Sequence, residues 1–359
     1  MCPLLSSVSL PYFSSHLLSS LPYSPILSHT LPPLSEPVIE KVVSPFYPKI
    51  RALVIGGSGA LGRSFLPVLK ELSPTSILTT IDYDPFPTDV SLSSSFTDTA
   101  KDAAKDSTED TTSIPTGKFT HHHVMLEKGT KMAAIPSTLI PKLNALDELD
   151  KYNHYNLIIN AAGTWAGGAI PSPKKADAGS VDADVEAFTD YLLGFDTNIP
   201  ANLNSTALAT ALSGRYMPKI GTKIPGEPVG DEGMLVLTGA AASTTNELAK
   251  GSGAGMAGYV TSKFAGTGLA KVTLEELSKR NRKIRVTVVH PVTLDTPMNR
   301  KFLTFDESWT HPDALAAGII SLYFENEADR ADGRKGRIQE YIVRSHEDGE
   351  TGFEEFESK

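Results

Sequence analysis

The sequence predicts an α/β fold, a single domain built on one doubly wound parallel sheet of about seven strands. Three observations predict it. Short apolar runs rich in Val, Ile and Leu recur along the chain, separated by stretches with helical periodicity. The first run, Ile50-Arg51-Ala52-Leu53-Val54-Ile55, passes directly into Gly56-Gly57-Ser58-Gly59-Ala60-Leu61-Gly62 and then into a helical pattern. The next run, Ser76 to Ile81, ends in Asp82, 20 residues after Gly62.

The remaining elements follow in order. Residues 1–48 are rich in Ser, Pro and Leu, with no charged residue before Glu36. Their apolar positions are too broken for a helix, so the segment reads as a disordered or targeting tail. The domain itself spans 49–345. Residues 84–118 carry a polar insertion too poor in apolar surface to fold alone. Phe119 to Leu126 is a third strand that includes His121-His122-His123, whose side chains alternate across the sheet and so suit joint metal ligation poorly. A helix over Ser137 to Tyr152 precedes the strand Asn156 to Ile159, which opens into Asn160-Ala161-Ala162-Gly163-Thr164-Trp165-Ala166-Gly167-Gly168. Helical pattern then runs from Val181 to Arg215, bent near Pro200, and a second insertion fills 216–233. The strand Met234 to Thr238, a loop through Ala240 and Ser243, a helix beginning near Tyr259, the strand Ile284 to Val289, a helix over Pro312 to Phe324 and the strand Ile338 to Val343 complete the sheet. Residues 346–359 read as a loose acidic tail.

Bulk properties exclude several classes of function. A net charge of −9 and a pI near 5.5 argue against nucleic acid or an anionic membrane as partner. No apolar run reaches the roughly 18 residues of a membrane span. The single cysteine, Cys2, rules out an internal disulfide and points to a reducing compartment, hence a cytoplasmic protein unless residues 1–48 direct it elsewhere.

Gly57-x-Gly59-x-x-Gly62 stands in the strand–turn–helix setting that a Rossmann-type dinucleotide site requires. Its glycines let a pyrophosphate approach backbone N–H groups at the positive end of a helix, a cradle formed by Gly57, Ser58, Gly59, Ala60, Leu61 and Gly62. A carboxylate at Asp82 accepts from ribose hydroxyls and repels a 2′-phosphate, so NADH is expected over NADPH; Asp84 is the alternative acid. The small residues Ala162 and Gly163 let a flat ligand come close to the backbone. Trp165, in a glycine-rich loop, is a wall of the substrate pocket or a packing residue. Tyr259 and Lys263 are four apart in a helix and share one face, which sets a phenol beside an ammonium. The cation is expected to lower the phenol's pKa and ready it as a proton donor, although such pairs also arise by chance.

Together the glycine turn, Asn160-Ala161-Ala162-Gly163, Tyr259-x-x-x-Lys263 and the Pro291 loop resemble the short-chain dehydrogenase/reductases. Within them the chain is most similar to the dihydropteridine reductase family, through Gly163 to Gly168, Gly255-Met256-Ala257-Gly258-Tyr259 and the unusual run Pro291-Val292-Thr293-Leu294-Asp295-Thr296-Pro297-Met298-Asn299-Arg300-Lys301. The resemblance implies an NAD-binding reductase that regenerates tetrahydrobiopterin from a quinonoid dihydropterin. Tyr259 would supply the proton, Lys263 would hold the nicotinamide ribose, Trp165 would flank the pterin, and Thr293, Leu294 and the residues to Thr296 would cover the nicotinamide. Ala240 takes the place of the Ser that most members use to polarise a carbonyl, next to the pterin. Should Ser243 fill that role, reduction of another carbonyl or quinone is the alternative; a non-catalytic dinucleotide sensor is more remote. The resemblance also implies an Asn near the lysine, aligned with Asn198, and a homodimer through the helices near 181–215 and 256–281.

Overall fold

Strands that are apolar along their whole length are hidden only if helices cover both faces of the sheet. The computed structural model, which describes residues 49–87, 119–146, 154–166, 170–171, 181–218, 233–251, 253–280, 284–329, 338–345 and 351–356, achieves this with one sheet. In chain order the elements are β1 (Arg51–Ile55), α1 (Ala60–Leu72), β2 (Ile77–Asp82), β3 (Thr120–Met125), α2 (Ile135–Asn144), β4 (Leu157–Asn160), α3 (Val181–Asn198), a π-helical stretch (Ile199–Asn204), α4 (Ser205–Tyr216), β5 (Gly233–Thr238), α5 (Thr245–Ala249), α6 (Ala257–Lys279), β6 (Ile284–Pro291), α7 (Asn299–Phe302), α8 (Pro312–Asp329), β7 (Gln339–Ser345) and β8 (Thr351–Phe356). The strand order is β3-β2-β1-β4-β5-β6-β7-β8. Crossing from β3 back to β1 and then out through β4 makes the sheet doubly wound, with its switch point between β1 and β4.

Alternation along each strand builds two cores. Leu53, Ile55, Ile158, Leu235 and Val286 face α2, α4 and α6, where they meet Leu139, Leu212, Tyr216 and Leu274. Ala52, Val54, Leu157, Ile159 and Val236 face α1 and α8, against Phe65, Leu69, Leu315 and Ile319.

Two readings are corrected. The sheet has eight strands among the described residues, and the segment read as a loose tail contributes the eighth, β8, which pairs antiparallel with β7 in the register Glu340↔Phe356 to Ser345↔Thr351. An uncovered β7 would leave a free sheet edge. Two aromatics among acids anchor the cover: Phe353 is buried against Tyr341 and so close to Gly318 that a Cβ there would lie 2.1 Å from its ring. The helix expected to reach Tyr152 ends at Asn144; residues 147–153 lie outside the described ones, as do 1–48, most of both expected insertions and 346–350. The bend near Pro200 is present as the π-helical stretch, where a residue without an N–H interrupts the helical ladder.

Candidate active site

The carboxyl end of β1 turns at Gly56, whose φ of +82° suits only glycine comfortably. A Cβ there would lie 2.5 Å from the backbone of Ala162, and one on Gly62 would lie 2.0 Å from the Gly56 carbonyl oxygen. Gly57 sits equally tightly on Thr80. The turn is therefore pressed against β4's exit, and α1 follows Gly59, an N-cap with no side chain to occupy the helix's first N–H groups. Gly56 lies outside the Gly57-x-Gly59-x-x-Gly62 spacing, and only its backbone angle reveals its part. At the mouth of the turn Ser58 N donates to Asp82 Oδ2 at 2.8 Å and Tyr83 N donates to Asp82 Oδ1 at 2.7 Å. A backbone cradle that excludes side chains, free helix N–H groups and a fixed carboxylate beside them fit a dinucleotide's pyrophosphate and adenosine ribose.

The loop after β4 is held by two asparagines. Thr164 N donates to Asn202 Oδ1 (2.9 Å) and Asn202 Nδ2 returns a bond to Thr164 O (3.1 Å). Two residues on, Ala166 N donates to Asn198 Oδ1 (3.1 Å) and Asn198 Nδ2 donates to Ala166 O (2.9 Å). The two amides pair with the loop backbone as a neighbouring strand would. Trp165, between the clamped residues, packs instead on Phe302 of α7, with ring centroids 5.7 Å apart. Asn202, which sequence reasoning missed in favour of Asn198, is the asparagine beside the lysine. A Cβ on Gly163 would lie 2.8 Å from Asn202 Oδ1 and 3.1 Å from Lys263 Nζ. The signal available was its place four residues after Asn198, in the interrupted helix at Pro200.

Helix α6 carries the predicted pair. Gly258 packs against α3 so closely that a Cβ would meet the Gly194 carbonyl carbon at 2.6 Å, which sets Tyr259 at the helix crossing. Lys263 is 7% exposed and donates to the Thr238 carbonyl oxygen at 2.9 Å. Its Nζ lies 5.9 Å from the centroid of the Tyr259 ring. Burial dominates both groups: it pushes the Tyr259 phenol up to about 12 and pulls Lys263 down to about 8. The expected lowering of the phenol's pKa by the lysine is therefore not what this geometry produces, because the ammonium is turned to a carbonyl and desolvation outweighs its field. The phenol keeps its proton throughout the neutral range.

The hydroxyls around Ala240 are committed. Ser243 is buried in a short 3₁₀ turn and donates to the Ala240 carbonyl oxygen at 2.7 Å. Thr244 donates to Ala241 O at 2.9 Å, and Thr238 donates to Asn160 O. Beyond β6, Thr310 N donates to Thr293 O at 2.8 Å and Asn299 Nδ2 donates to Leu294 O at 2.8 Å, so the predicted Thr293-Leu294 segment is a braced turn. It reaches the rest of the site through the Phe302–Trp165 contact. The three histidines of β3 form no metal cluster among the described residues; His121 and His123 instead lie 3.0 and 2.9 Å from Thr80 Oγ1.

Residues 144–306, from the end of α2 to just beyond α7, match the family described as short chain dehydrogenase. Over these residues, a little under half of its length, the chain is similar to the short-chain dehydrogenases. Such proteins are oxidoreductases that use NAD(P)(H), in keeping with the cradle above. No curated protein matches the chain in sequence. Among solved structures, a short-chain type dehydrogenase/reductase from Mycobacterium ulcerans superposes with a TM-score of 0.50 at 14% identity, covering 82% of this chain and 89% of that one. Ligand-free aldohexose dehydrogenase from Thermoplasma acidophilum gives 0.49 at 16%, covering 82% and 93%. A Serratia marcescens short-chain dehydrogenase/reductase gives 0.48 at 17%, covering 83% and 98%. At 14% identity the first of these likenesses speaks for the fold alone. In this chain the glycine turn, Asp82, Gly163, Asn202, Tyr259 and Lys263 all lie at the carboxyl ends of β1, β2, β4 and β5 or on the helices beside them, where an open α/β sheet binds its ligands.

Proposed function

We propose that this chain is an NADH-dependent reductase of a quinonoid dihydropterin, returning it to the tetrahydropterin. The observation that carries the reading is at Ala240: the position has no hydroxyl, and the nearest serine spends its proton on a backbone carbonyl. Ketone reduction calls for a second donor beside the tyrosine to grip the carbonyl oxygen. A quinonoid dihydropterin is already an electron-poor conjugated imine and needs only a hydride and a proton. Bound NADH supplies the hydride. Tyr259 holds the proton and delivers it to the pterin ring, Lys263 orients the nicotinamide ribose, and Trp165 with Phe302 offers aromatic surface to a flat ring. The run Pro291 to Lys301 supports the same assignment through its resemblance to dihydropteridine reductases.

The test is NADH oxidation with chemically generated quinonoid dihydropterin, beside a panel of ketones and quinones. Turnover of the pterin alone is expected; turnover of ketones alone would return Ser243 to consideration. Asp82 supports NADH over NADPH, since a 2′-phosphate would approach a carboxylate already fixed by Ser58 N. Asp82→Ala is expected to erode that preference by about tenfold, the effect of one charge interaction of about 1.4 kcal/mol. Equal use of both cofactors by the wild type would remove the role of Asp82.

A homodimer is part of the proposal. Val185, Phe188 and Leu192 leave an apolar stripe exposed along α3, and Phe264 and Val272 leave another on α6, which packs on α3. A second copy of this chain is the occupant expected from the resemblance. Phe188→Glu combined with Leu192→Glu should convert a dimer to a monomer in light scattering; an unchanged mass would place the contact elsewhere.

A further inference from the structure

Directly behind the β5 exit lies a pair of buried polar residues that the reaction does not use. His290, near the end of β6, is 1% exposed, and Glu340 on β7 is also buried. His290 Nε2 lies 3.1 Å from Glu340 Oε2, and His290 Nδ1 lies 3.3 Å from the Ala240 carbonyl oxygen. Gly239 is so close to the ring that a Cβ there would meet Nδ1 at 2.4 Å. Phe356 of β8 stands edge-on to the same ring at 5.4 Å, and Lys271, two turns beyond Lys263 on α6, places Nζ 3.8 Å from Glu340 Oε1.

Both neighbours of the imidazole carry acceptor oxygens, and the tautomer with its proton on Nδ1 donates to the Ala240 carbonyl while Nε2 lies against the Glu340 carboxyl group. A buried ionisable pair seldom stabilises a fold more than well-packed apolar residues of the same volume would. What this pair does reach is the three-residue segment Thr238-Gly239-Ala240. The Thr238 carbonyl takes the bond from Lys263, and the Ala240 carbonyl, two residues on, faces His290. Between them Gly239 has no side chain to keep the ring off the backbone.

We propose that His290, backed by Glu340 and Phe356, is a positioning residue that fixes the Thr238–Ala240 backbone and through it Lys263. The inference rests on the reading of Tyr259 and Lys263 as the reacting pair. It also gives β8 a consequence for the site, since Phe356 and the pairing partner Glu340 brace the ring from the sheet edge.

The test compares wild type with His290→Leu, His290→Asn and the double variant His290→Leu/Glu340→Leu. Asn can offer an amide N–H near the Nδ1 position but cannot serve Glu340 as the ring does. The double variant removes the carboxylate that a single change would strand and so keeps the fold. Two readouts are taken: kcat and KM for NADH with quinonoid dihydropterin, and the pH midpoint of Lys263 acetylation followed by mass spectrometry. The double variant should fold with a Tm at or above that of the single Leu variant, yet lose roughly tenfold to a hundredfold in kcat, the scale of a small misplacement of a reacting group, with KM for NADH nearly unchanged. The Lys263 midpoint should fall in both Leu variants, because an ammonium that loses a well-placed carbonyl acceptor gives up its proton more readily. Asn should recover part of both readouts. A double variant with wild-type kcat and midpoint overturns the proposal, as does an Asn variant no better than Leu. Should the wild type fail to reduce the pterin while the Lys263 midpoint still moves, the substrate reading falls and the positioning role stands.

Discussion

Tyr259→Phe is expected to lower kcat for quinonoid dihydropterin by at least about tenfold, the lower range for loss of a positioned acid. Affinity for NADH should stay close to wild type, because the ring remains and the Gly258–Gly194 crossing that seats it is untouched. The phenol's proton is held firmly, at a pKa pushed up to about 12 by burial. It is released only as charge develops on the substrate, so removing it should cost the reacting step more than the binding step. Stopped-flow measurement of a single turnover reads that step directly. Unchanged single-turnover rates would remove Tyr259 from the reaction and leave the pterin to draw its proton from water.

Lys263→Met is expected to abolish most turnover and at the same time to raise the melting temperature at neutral pH. The two effects have one cause. Burial pulls the folded-state pKa from 10.5 to about 8, a displacement worth on the order of 3 kcal/mol against the charged form. Unfolded chain therefore holds more protons than folded chain between about pH 8 and 10.5, and wild-type stability rises relative to Lys263→Met across that window. Below about pH 8 the ammonium is present in both states and its burial cost falls on the fold in full. The lost bond to Thr238 O offsets part of the gain. In wild type the reduction rate should be level below about pH 7 and fall above about pH 8, as Lys263 loses its charge. Calorimetry of both proteins at pH 7 and pH 9.5 and a pH–rate profile check these expectations. A destabilised Lys263→Met variant at pH 7 would show that the lysine stabilises the fold.

How much of this was legible beforehand differs from residue to residue. The glycine turn and Asp82 could be read because each is a local requirement: a backbone path closed to side chains, and a carboxylate at a strand end. Tyr259 and Lys263 could be paired because four residues on a helix return to one face. What failed was anything that depended on a distant neighbour. Asn198 and Asn202 are alike in type and face the same loop, and only the packing of the π-helical stretch on α6 brings Asn202 and not Asn198 to Lys263. Lys263 was expected to act on the phenol next to it, but it bonds Thr238, a residue remote in sequence and close in space. Ser243 looked available in the sequence and is occupied in the structure. β8 was hidden because its aromatic positions are diluted by acids, and a strand that covers an edge needs only enough apolar surface to lie on its neighbour.

By itself the sequence determined the class of fold, the tight glycine turn after β1 and the shared helix face of Tyr259 and Lys263, because periodicity and turn chemistry act over a few residues. Tertiary structure alone decided the burial of that pair, the asparagine beside it, the hydrogen bond of Ser243 to Ala240 and the contact of His290 with Ala240. Those depend on burial and on atoms brought together from separate strands, and neither is written into any local stretch of the chain.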